Sequence, residues 1–566
     1  MGGNGFNHGH SPELGADSYE KCMEALSSLI TSHKRGDGSN REAKFALMFK
    51  YMKFLGFEER INGLNIIHVA GTKGKGSTCT FCESVLRECG FRTGLFTSPH
   101  LVDVRERYRI EGLDISEEKF LRYFWDCWNQ LKEKLCDNMQ MPPLFQFLTL
   151  LAFKIFISEE VDVAIIEVGL GGKWDSTNVV KEPVVCGITS LGMDHMEILG
   201  NTLGKIASEK AGIFKPRVPA FTVPQLSEAM NVLKKRAEEL MIPLTIVSPL
   251  YLEQLEGGRL GLAGDHQLIN AGLAVSLCRH WLHIKGHLKV EKLDTVLPQA
   301  FLRGLSTASL AGRAQIVQDK LGNSCEPSEG EEKSCGDLIF YLDGAHTSES
   351  MEVCVDWFSN AVMDGSHDYN ARQSGALGKN HGTHYKGSKK ILYRCEISIL
   401  LFNCMEARDP ELLLPKLTSI CPSILIFSKF SLSFSMALFV PSMSRYHLVT
   451  SVSSAVRTDL SVDTSWQSSL QRTWERLIHG KDGILVNESN PEHSTKLPAY
   501  QFLHGDSSKI NPTGKQLHGN AVVMPSLPIA LDWLRDCAKE NPNVRLQVLV
   551  TGSLHLVGDL LKLLRR

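Results

Sequence analysis

Apolar positions along this chain fall into two alternating forms: short, nearly unbroken runs, and longer stretches in which apolar residues recur every three or four positions. Residues 64–70, 92–96, 161–168, 184–188, 220–223 and 244–247 are of the first kind and read as strands, the first and third rich enough in Ile and Val to be buried on both faces of a sheet. Residues 19–30, a second helix through Phe45, Leu47, Met48, Tyr51 and Leu55, then 143–158, 202–213, 226–240 and 269–283 have helical spacing. Phe81, Val85, Leu86 and Cys89 follow the first strand at the same spacing, with Gly90 where a helix end takes positive φ. Strand and helix in alternation predict an α/β fold built on a doubly wound parallel sheet.

The pattern restarts near residue 310. A strand at 338–342 ends in Asp343-Gly344-Ala345-His346-Thr347, and further strands are expected at 397–403 and 546–551, with helices near 410–417 and 529–539. The polar stretch 319–336 and the Gly, Asn, His and Lys-rich stretch 363–390 read as flexible insertions. The expected division is therefore a disordered lead-in at 1–18, a first domain at 19–306 and a second, smaller α/β domain at 307–566. A cleft between the two domains is where substrates are expected.

Composition removes several classes of function. With 566 residues, 43% hydrophobic and 22% charged, the chain reads as a soluble protein of at least two domains. A net charge of −2 gives no global attraction to nucleic acid or an anionic membrane. Fifteen scattered cysteines, several inside apolar helical runs, fit buried free thiols in a reducing compartment. Cys79 and Cys82 form a CxxC inside a helix with no second pair at zinc spacing, so they read as structural. Residues 1–17 resemble neither a signal nor a transit peptide, which makes the expectation cytoplasmic. Residues 420–440 are too serine-rich, and carry Lys429 too near the middle, to form a membrane span.

The chemistry concentrates where strands end. The first strand breaks into Gly71-Thr72-Lys73-Gly74-Lys75-Gly76-Ser77-Thr78 ahead of a helix, and its three glycines let backbone N–H groups turn inward around an anion. Lys75 can reach between phosphates, and the Ser77 or Thr78 hydroxyl is placed to ligate Mg²⁺. Thr97-Ser98-Pro99-His100-Leu101, followed by Arg105-Glu106-Arg107, lies at the next strand's carboxyl end, where α/β sheets hold ligands. Glu167 ends a buried strand, where a carboxylate costs several kcal/mol unless it meets a cation. After it come Gly169-Leu170-Gly171-Gly172 and Asp175-Ser176-Thr177-Asn178, and the following strand leads to Asp194 and His195. Three strand ends thus offer Ser98, Glu167 and His195 beside a phosphate loop.

Taken together, GTKGKGST (71–78), TSPHL (97–101), EVGLGG (167–172), GMDH (192–195), EKAGIFK (209–215), HQLIN (266–270), GRAQ (312–315) and LDGAHT (342–347) resemble the folylpolyglutamate synthases, within the Mur-type ATP-dependent amide ligases. The resemblance runs from about residue 19 to the end. It implies γ-linked addition of L-glutamate to tetrahydrofolate and its polyglutamates, driven by ATP through an acyl phosphate. Substrates would be reduced folate, L-glutamate and ATP, and the protein would act as a monomer with no nucleic-acid partner. Lys73, Gly74, Lys75, Gly76 and Ser77 would cradle the ATP phosphates, with Asn270, Arg313 and Asp343 as further ATP contacts. Ser98, or Thr97 in its place, would bind Mg²⁺ together with Glu167 and His195. His195 fits less well, because Mg²⁺ prefers oxygen. A monovalent cation such as K⁺ would be a second possible ion. Lys210 would be carbamylated, which requires the neutral amine that burial favours.

The alternatives are another Mur-type amino-acid ligase and a nucleotide-binding protein whose catalysis is impaired. The second draws on one departure from the family: residues 424–435, where serine alternates with large apolar side chains in place of a brief connection ahead of a strand at 437–440. This segment reads as either an extra strand or non-native coding sequence.

Overall fold

The computed structural model describes residues 16–30, 40–135, 139–287, 296–319, 337–375, 395–418, 434–443, 463–479, 520–541 and 544–565. These fall into two compact units. One holds the described residues of Met1–Gly261 and Gln267–Ser309, the other those of Leu262–His266, Leu310–Arg445 and Ala455–Arg566.

The first unit is built on eight strands: β1 (Ile67–Ala70), β2 (Thr93–Phe96), β3 (Tyr108–Ile110), β4 (Leu113–Asp114), β5 (Val163–Glu167), β6 (Val185–Ile188), β7 (Ala220–Thr222) and β8 (Leu244–Ile246). Their order is β4-β3-β2-β5-β1-β6-β7-β8. From β2 to β8 every pairing is parallel, as the apolar runs predict. β3 and β4 extend the sheet antiparallel, an edge the hydrophobic pattern does not announce. β1 lies between β5 and β6, with Val69 opposite Glu167 and Ala70 opposite Ile188. Three strand exits are thereby set side by side, and each carries one of the loops that the sequence singles out.

The helices cover both faces. On one, Leu26, Tyr51, Phe120, Phe124, Phe147, Phe153 and Phe156 pack with Ile166 and Ala164 in a single cluster, each large side chain contributing roughly 1.5–3 kcal/mol by leaving water. On the other, Ile188, Phe214 and Leu233 close over Cys186 and Ala220. Helix Glu117–Lys134, absent from the sequence reading, supplies Phe120, Phe124 and Trp128 to the first cluster, and the Ser116 side chain caps it by accepting from Lys119 N. The phosphate-loop helix, Lys75–Glu88, packs on helix Gln299–Thr307 so closely that a Cβ at Gly304 would lie 2.5 Å from Val85 Cα.

The second unit holds β9 (Gln315–Gln318), β10 (Asp337–Leu342), β11 (Cys395–Phe402), β12 (Met436–Phe439), β13 (Asn520–Val523) and β14 (Val544–Thr551), in the order β13-β12-β11-β14-β10-β9. All pairings are parallel except β9 with β10. Tyr341, Phe358, Phe402, Phe439 and Trp474 form its core on one face.

Two expectations change here. The stretch read as a flexible excursion from residue 363 continues helix Ser348–Gly375 to its end, while 376–390 lie outside the described residues. Helix Ser465–His479 stands in a stretch to which the sequence reading gave no element, and Leu470 and Trp474 are its buried face. Of the puzzling segment 424–435, residues 424–433 lie outside the described residues. Phe434 is buried, stacked on Phe358, and Ser435 N donates to Ser398 O at 2.9 Å. Residues 320–336 are likewise outside, after Asp319, which pairs with Arg535 at 2.7 Å. Among the described residues no helix is long and apolar enough to cross a membrane.

Candidate active site

The exit of β1 is shaped by two close approaches. Gly71 lies so near β6's exit that a Cβ would meet Thr189 Oγ1 at 1.8 Å, and Gly74, at φ +85°, would meet Asn270 Oδ1 at 2.1 Å. Any other residue at 74 would have both a strained backbone and an overlap. Thr72 N and Lys73 N both donate to Ser190 O at 3.0 Å, and Gly192 N and O sit 3.2 Å from Thr72 Oγ1. Helix Lys75–Glu88 starts at once after Gly74 and directs its N-terminal N–H groups and dipole at the loop. The Thr78 hydroxyl is fully buried and donates over 3.5 Å to Asn270 O. Of the two hydroxyls proposed from sequence as a metal ligand, Ser77 is thus the one left without a bond of this kind. Asn270 itself donates to Gln267 Oε1 at 2.9 Å, which fixes the amide against the loop.

Glu167, at the end of β5, meets the cation its burial demands. Its side chain is 5% exposed, Oε1 lies 4.0 Å from Lys75 Nζ, and Oε2 accepts from Ser98 N at 3.0 Å. Lys75, Glu167 and Ser98 are therefore together, on three neighbouring exits. Thr97, the alternative to Ser98, is buried and spends its N–H on Arg107 O at 3.1 Å.

Lys210 is buried at the last turn of helix Leu203–Ala211, and Nζ donates to Gly71 O at 2.7 Å. Burial foremost, then the neighbouring Lys75 charge, pulls its pKa down to about 7, against the opposing pull of Asp194 and Asp175. A substantial share of the amine is neutral at pH 7, the form that reacts with CO₂. Gly172 has to be glycine for this packing, since a Cβ there would come within 2.8 Å of the Glu209 and Lys210 carbonyls.

Past β6, Lys73 faces Asp194 at 3.7 Å, and Asp194 Oδ1 accepts from His195 N at 3.0 Å. The His195 ring is 40% exposed, at 3.7 Å from Glu197. In the second unit Asp343 Oδ2 accepts from Ala314 N and Oδ1 from Ala345 N, both at 2.9 Å. Burial raises the Asp343 carboxyl above its ordinary range, opposed first by the Arg313 charge. Asp343 and Arg313 are thus neighbours on the loops after β10 and before β9.

Magnesium suits part of this donor set. The buried Glu167 carboxylate and the hydroxyl of Ser98, the residue whose N–H it accepts, are hard oxygen donors, whereas the His195 nitrogen is not. Among the described residues no three His, Cys, Asp or Glu side chains gather as a metal cluster.

Three residues were passed over as site candidates. Asp175 accepts from Leu170 N at 2.9 Å, Thr177 N at 3.0 Å and Thr177 Oγ1 at 2.6 Å, and so pins the glycine loop behind Glu167. The Thr177 hydroxyl, having donated to Asp175, must accept from His68 Nε2 at 2.9 Å, which ties β1 to the same loop. The His68 ring is fully buried, and desolvation lowers its pKa to about 3. Asp194, which faces Lys73, and Arg107, beside Thr97, are the other two. All three lie inside or next to motifs read from the sequence, so adjacency was the available signal.

No family model matches the chain. It is 57% identical over 559 residues to a folylpolyglutamate synthase of Arabidopsis thaliana, covering 97% of this chain and 87% of that protein. It is 36% identical to the mitochondrial folylpolyglutamate synthase of Homo sapiens, covering 98% of this chain and 93% of that one. In fold it is similar to the Mycobacterium tuberculosis folylpolyglutamate synthase complexed with ADP, with a TM-score of 0.60 at 21% identity over 97% of this chain and 99% of that chain.

Proposed function

The chain belongs to the folylpolyglutamate synthase family, and we propose that it lengthens the glutamate tail of reduced folates. The reaction is ATP-dependent, γ-linked addition of L-glutamate to tetrahydrofolate and its polyglutamates. The observation in this chain that carries the reading is the Lys75, Glu167 and Ser98 cluster at the mouth of a phosphate loop, with Lys210 buried directly behind it.

A carboxylate is a poor electrophile, so its oxygen first takes the γ-phosphoryl group of ATP, releasing ADP. The amine nitrogen of glutamate then attacks the acyl carbon, the C–O bond to phosphate breaks, and the nitrogen loses a proton. In this scheme Gly74 to Ser77 hold the phosphates by their N–H groups, Lys73, whose N–H is bonded to Ser190 O, adds its side-chain charge, and Lys75 offsets charge on the group in flight. Ser98 and Glu167, with His195 as a weaker third, are the residues that would hold Mg²⁺. The ion would supply positive charge to the phosphate oxygens. Lys210, carrying a carbamate, would add a carboxylate next to Gly71. Among the described residues ten cysteines are free, nine of them buried, which fits reducing surroundings, and we assign the cytoplasm.

The test is incubation with ATP, Mg²⁺, radiolabelled L-glutamate and tetrahydrofolate. Label is expected in the folate fraction, with one ADP formed per glutamate added. Label that appears only when another carboxylic acid replaces tetrahydrofolate would instead point to a different amide ligase.

A further inference from the structure

We propose that Arg107 is a positioning residue for the ligation, acting through His100 and the 97–102 loop to hold the Ser98 amide against Glu167. The inference rests on the reading of Ser98 and Glu167 given above.

Arg107 closes the 3-10 turn Val104–Arg107 and leads into β3. It grips the loop twice: its carbonyl accepts from Thr97 N at 3.1 Å, and its Nε donates to His100 Nδ1 at 2.9 Å. Between those two points stands Ser98, whose N–H donates to Glu167 Oε2 at 3.0 Å. The preceding residue continues the clamp, as Glu106 Oε2 accepts from Leu101 N at 2.7 Å and Val102 N at 3.2 Å. Residues 106 and 107 thus tie down the loop on either side of Ser98.

The side chain is an expensive choice for packing alone. Arg107 is 8% exposed, and its Nη1 is buried with no hydrogen-bond partner. A buried guanidinium with an unsatisfied N–H is destabilising, and an apolar chain of similar length would fill the space better. Two things that apolar chain could not do are on view here. Arginine carries donors only, so the bond to His100 makes Nδ1 an acceptor and fixes the ring as the neutral Nε2–H tautomer. Its charge also interacts favourably with Glu167, which makes it a second cation around that carboxylate beside Lys75.

The experiment uses the full chain with Arg107→Met, Arg107→Lys, His100→Ala and the double variant Arg107→Met/His100→Ala. Arg107→Met is expected to melt no lower than wild type while kcat falls about 10–100-fold, the usual scale for residues that orient a site from behind. The KM for ATP should change little. Arg107→Lys keeps the charge without the Nε–H and should recover part of kcat at an unchanged melting temperature. Because Arg107 acts through His100, the double variant should lose no more than the larger single loss. In ¹⁵N-imidazole spectra the His100 signals, identified by their absence in His100→Ala, should show the Nε2–H tautomer in wild type and a mixture in Arg107→Met. Wild-type kcat in Arg107→Met, multiplying losses in the double variant, or a lowered melting temperature in both Arg107 variants with kcat kept would each overturn the proposal. If wild type itself ligates no glutamate, the activity assignment fails, and the imidazole spectra still decide whether Arg107 sets the His100 ring.

Discussion

The Lys210 amine donates to Gly71 O at 2.7 Å, so a helix after the third strand exit is bonded to the residue at which β1 becomes the phosphate loop. One atom therefore reports on two elements, and its protonation bears on both stability and chemistry. With the folded pKa near 7 and the ordinary lysine value at 10.5, the unfolded chain binds more protons between those limits. Stability must then rise with pH across that window, by up to about 1.4 kcal/mol per pH unit, and the penalty is fully present below pH 7. Lys210→Met has no such term. In CO₂-free buffer its advantage over wild type in urea unfolding should be largest at pH 7 and shrink toward pH 10. A pH-independent difference would show that Lys210 is not desolvated. With ¹³C-bicarbonate, a carbamate resonance is expected in wild type and not in Lys210→Met, which should also be inactive.

Lys75→Ala should abolish ligation. The substitution also takes from the buried Glu167 carboxylate the cation 4.0 Å away, so a stability loss of about 3–5 kcal/mol should accompany the loss of activity. Urea midpoint and kcat measured on the same preparation separate the two effects. Near-normal turnover would sink the phosphate-loop assignment.

Glu167→Gln keeps an acceptor for Ser98 N, so the loop should hold its place. What disappears is the charge between Lys75 and the proposed metal. Ligation should fall by more than about 100-fold at any Mg²⁺ concentration, with a stability loss of only about 1–2 kcal/mol. Full activity recovered at high Mg²⁺ would mean that Glu167 only tunes affinity and that the ion is held elsewhere.

Gly74→Ala tests the close approach to Asn270. The substitution adds a Cβ 2.1 Å from Asn270 Oδ1 at a φ of +85°, so calorimetric titration should show nucleotide binding weakened at least tenfold, roughly 1.4 kcal/mol. Adding Asn270→Ala removes the overlap and leaves the backbone strain of about 1 kcal/mol. The double variant should then bind nucleotide better than Gly74→Ala alone, unless the Asn270 amide is itself a strong nucleotide contact.

Much of the first unit was legible because its strands are buried on both faces, so continuous apolar runs such as Ile165-Ile166 mark them without reference to any partner. The loop, Glu167 and Lys210 could be found for a related reason: glycine and charge inside apolar surroundings are conspicuous. Helix Glu117–Lys134 is just as readable, with Ser116 ahead of two acidic residues and Phe120, Phe124 and Trp128 about one turn apart. The edge β3 and β4 was less so, since a three-residue strand with a half-exposed pattern has no period to detect. Helix Ser465–His479 owes its buried face to Leu470, Thr473 and Trp474 against neighbours distant in sequence, which no local window contains. For the same reason Arg107 looked like one charge in a charged segment until the fold set it beside His100.

The placement of β14 has a consequence for how the protein is made. In the second sheet β14 lies between β11 and β10, though it follows every other strand of that sheet in the chain. Without it the sheet separates into β13-β12-β11 and β10-β9, each with an open apolar edge. Asp337 and Arg545, which flank this join, are 208 residues apart, so at usual translation speeds β10 waits roughly 10–40 s for its neighbour. The second unit therefore cannot close as it emerges from the ribosome, while the first, whose eight strands are complete by Ile246, can. Nascent chains stalled between residues 402 and 544 would hold a finished nucleotide-binding unit joined to an unfinished sheet, and these are the species on which chaperones would act.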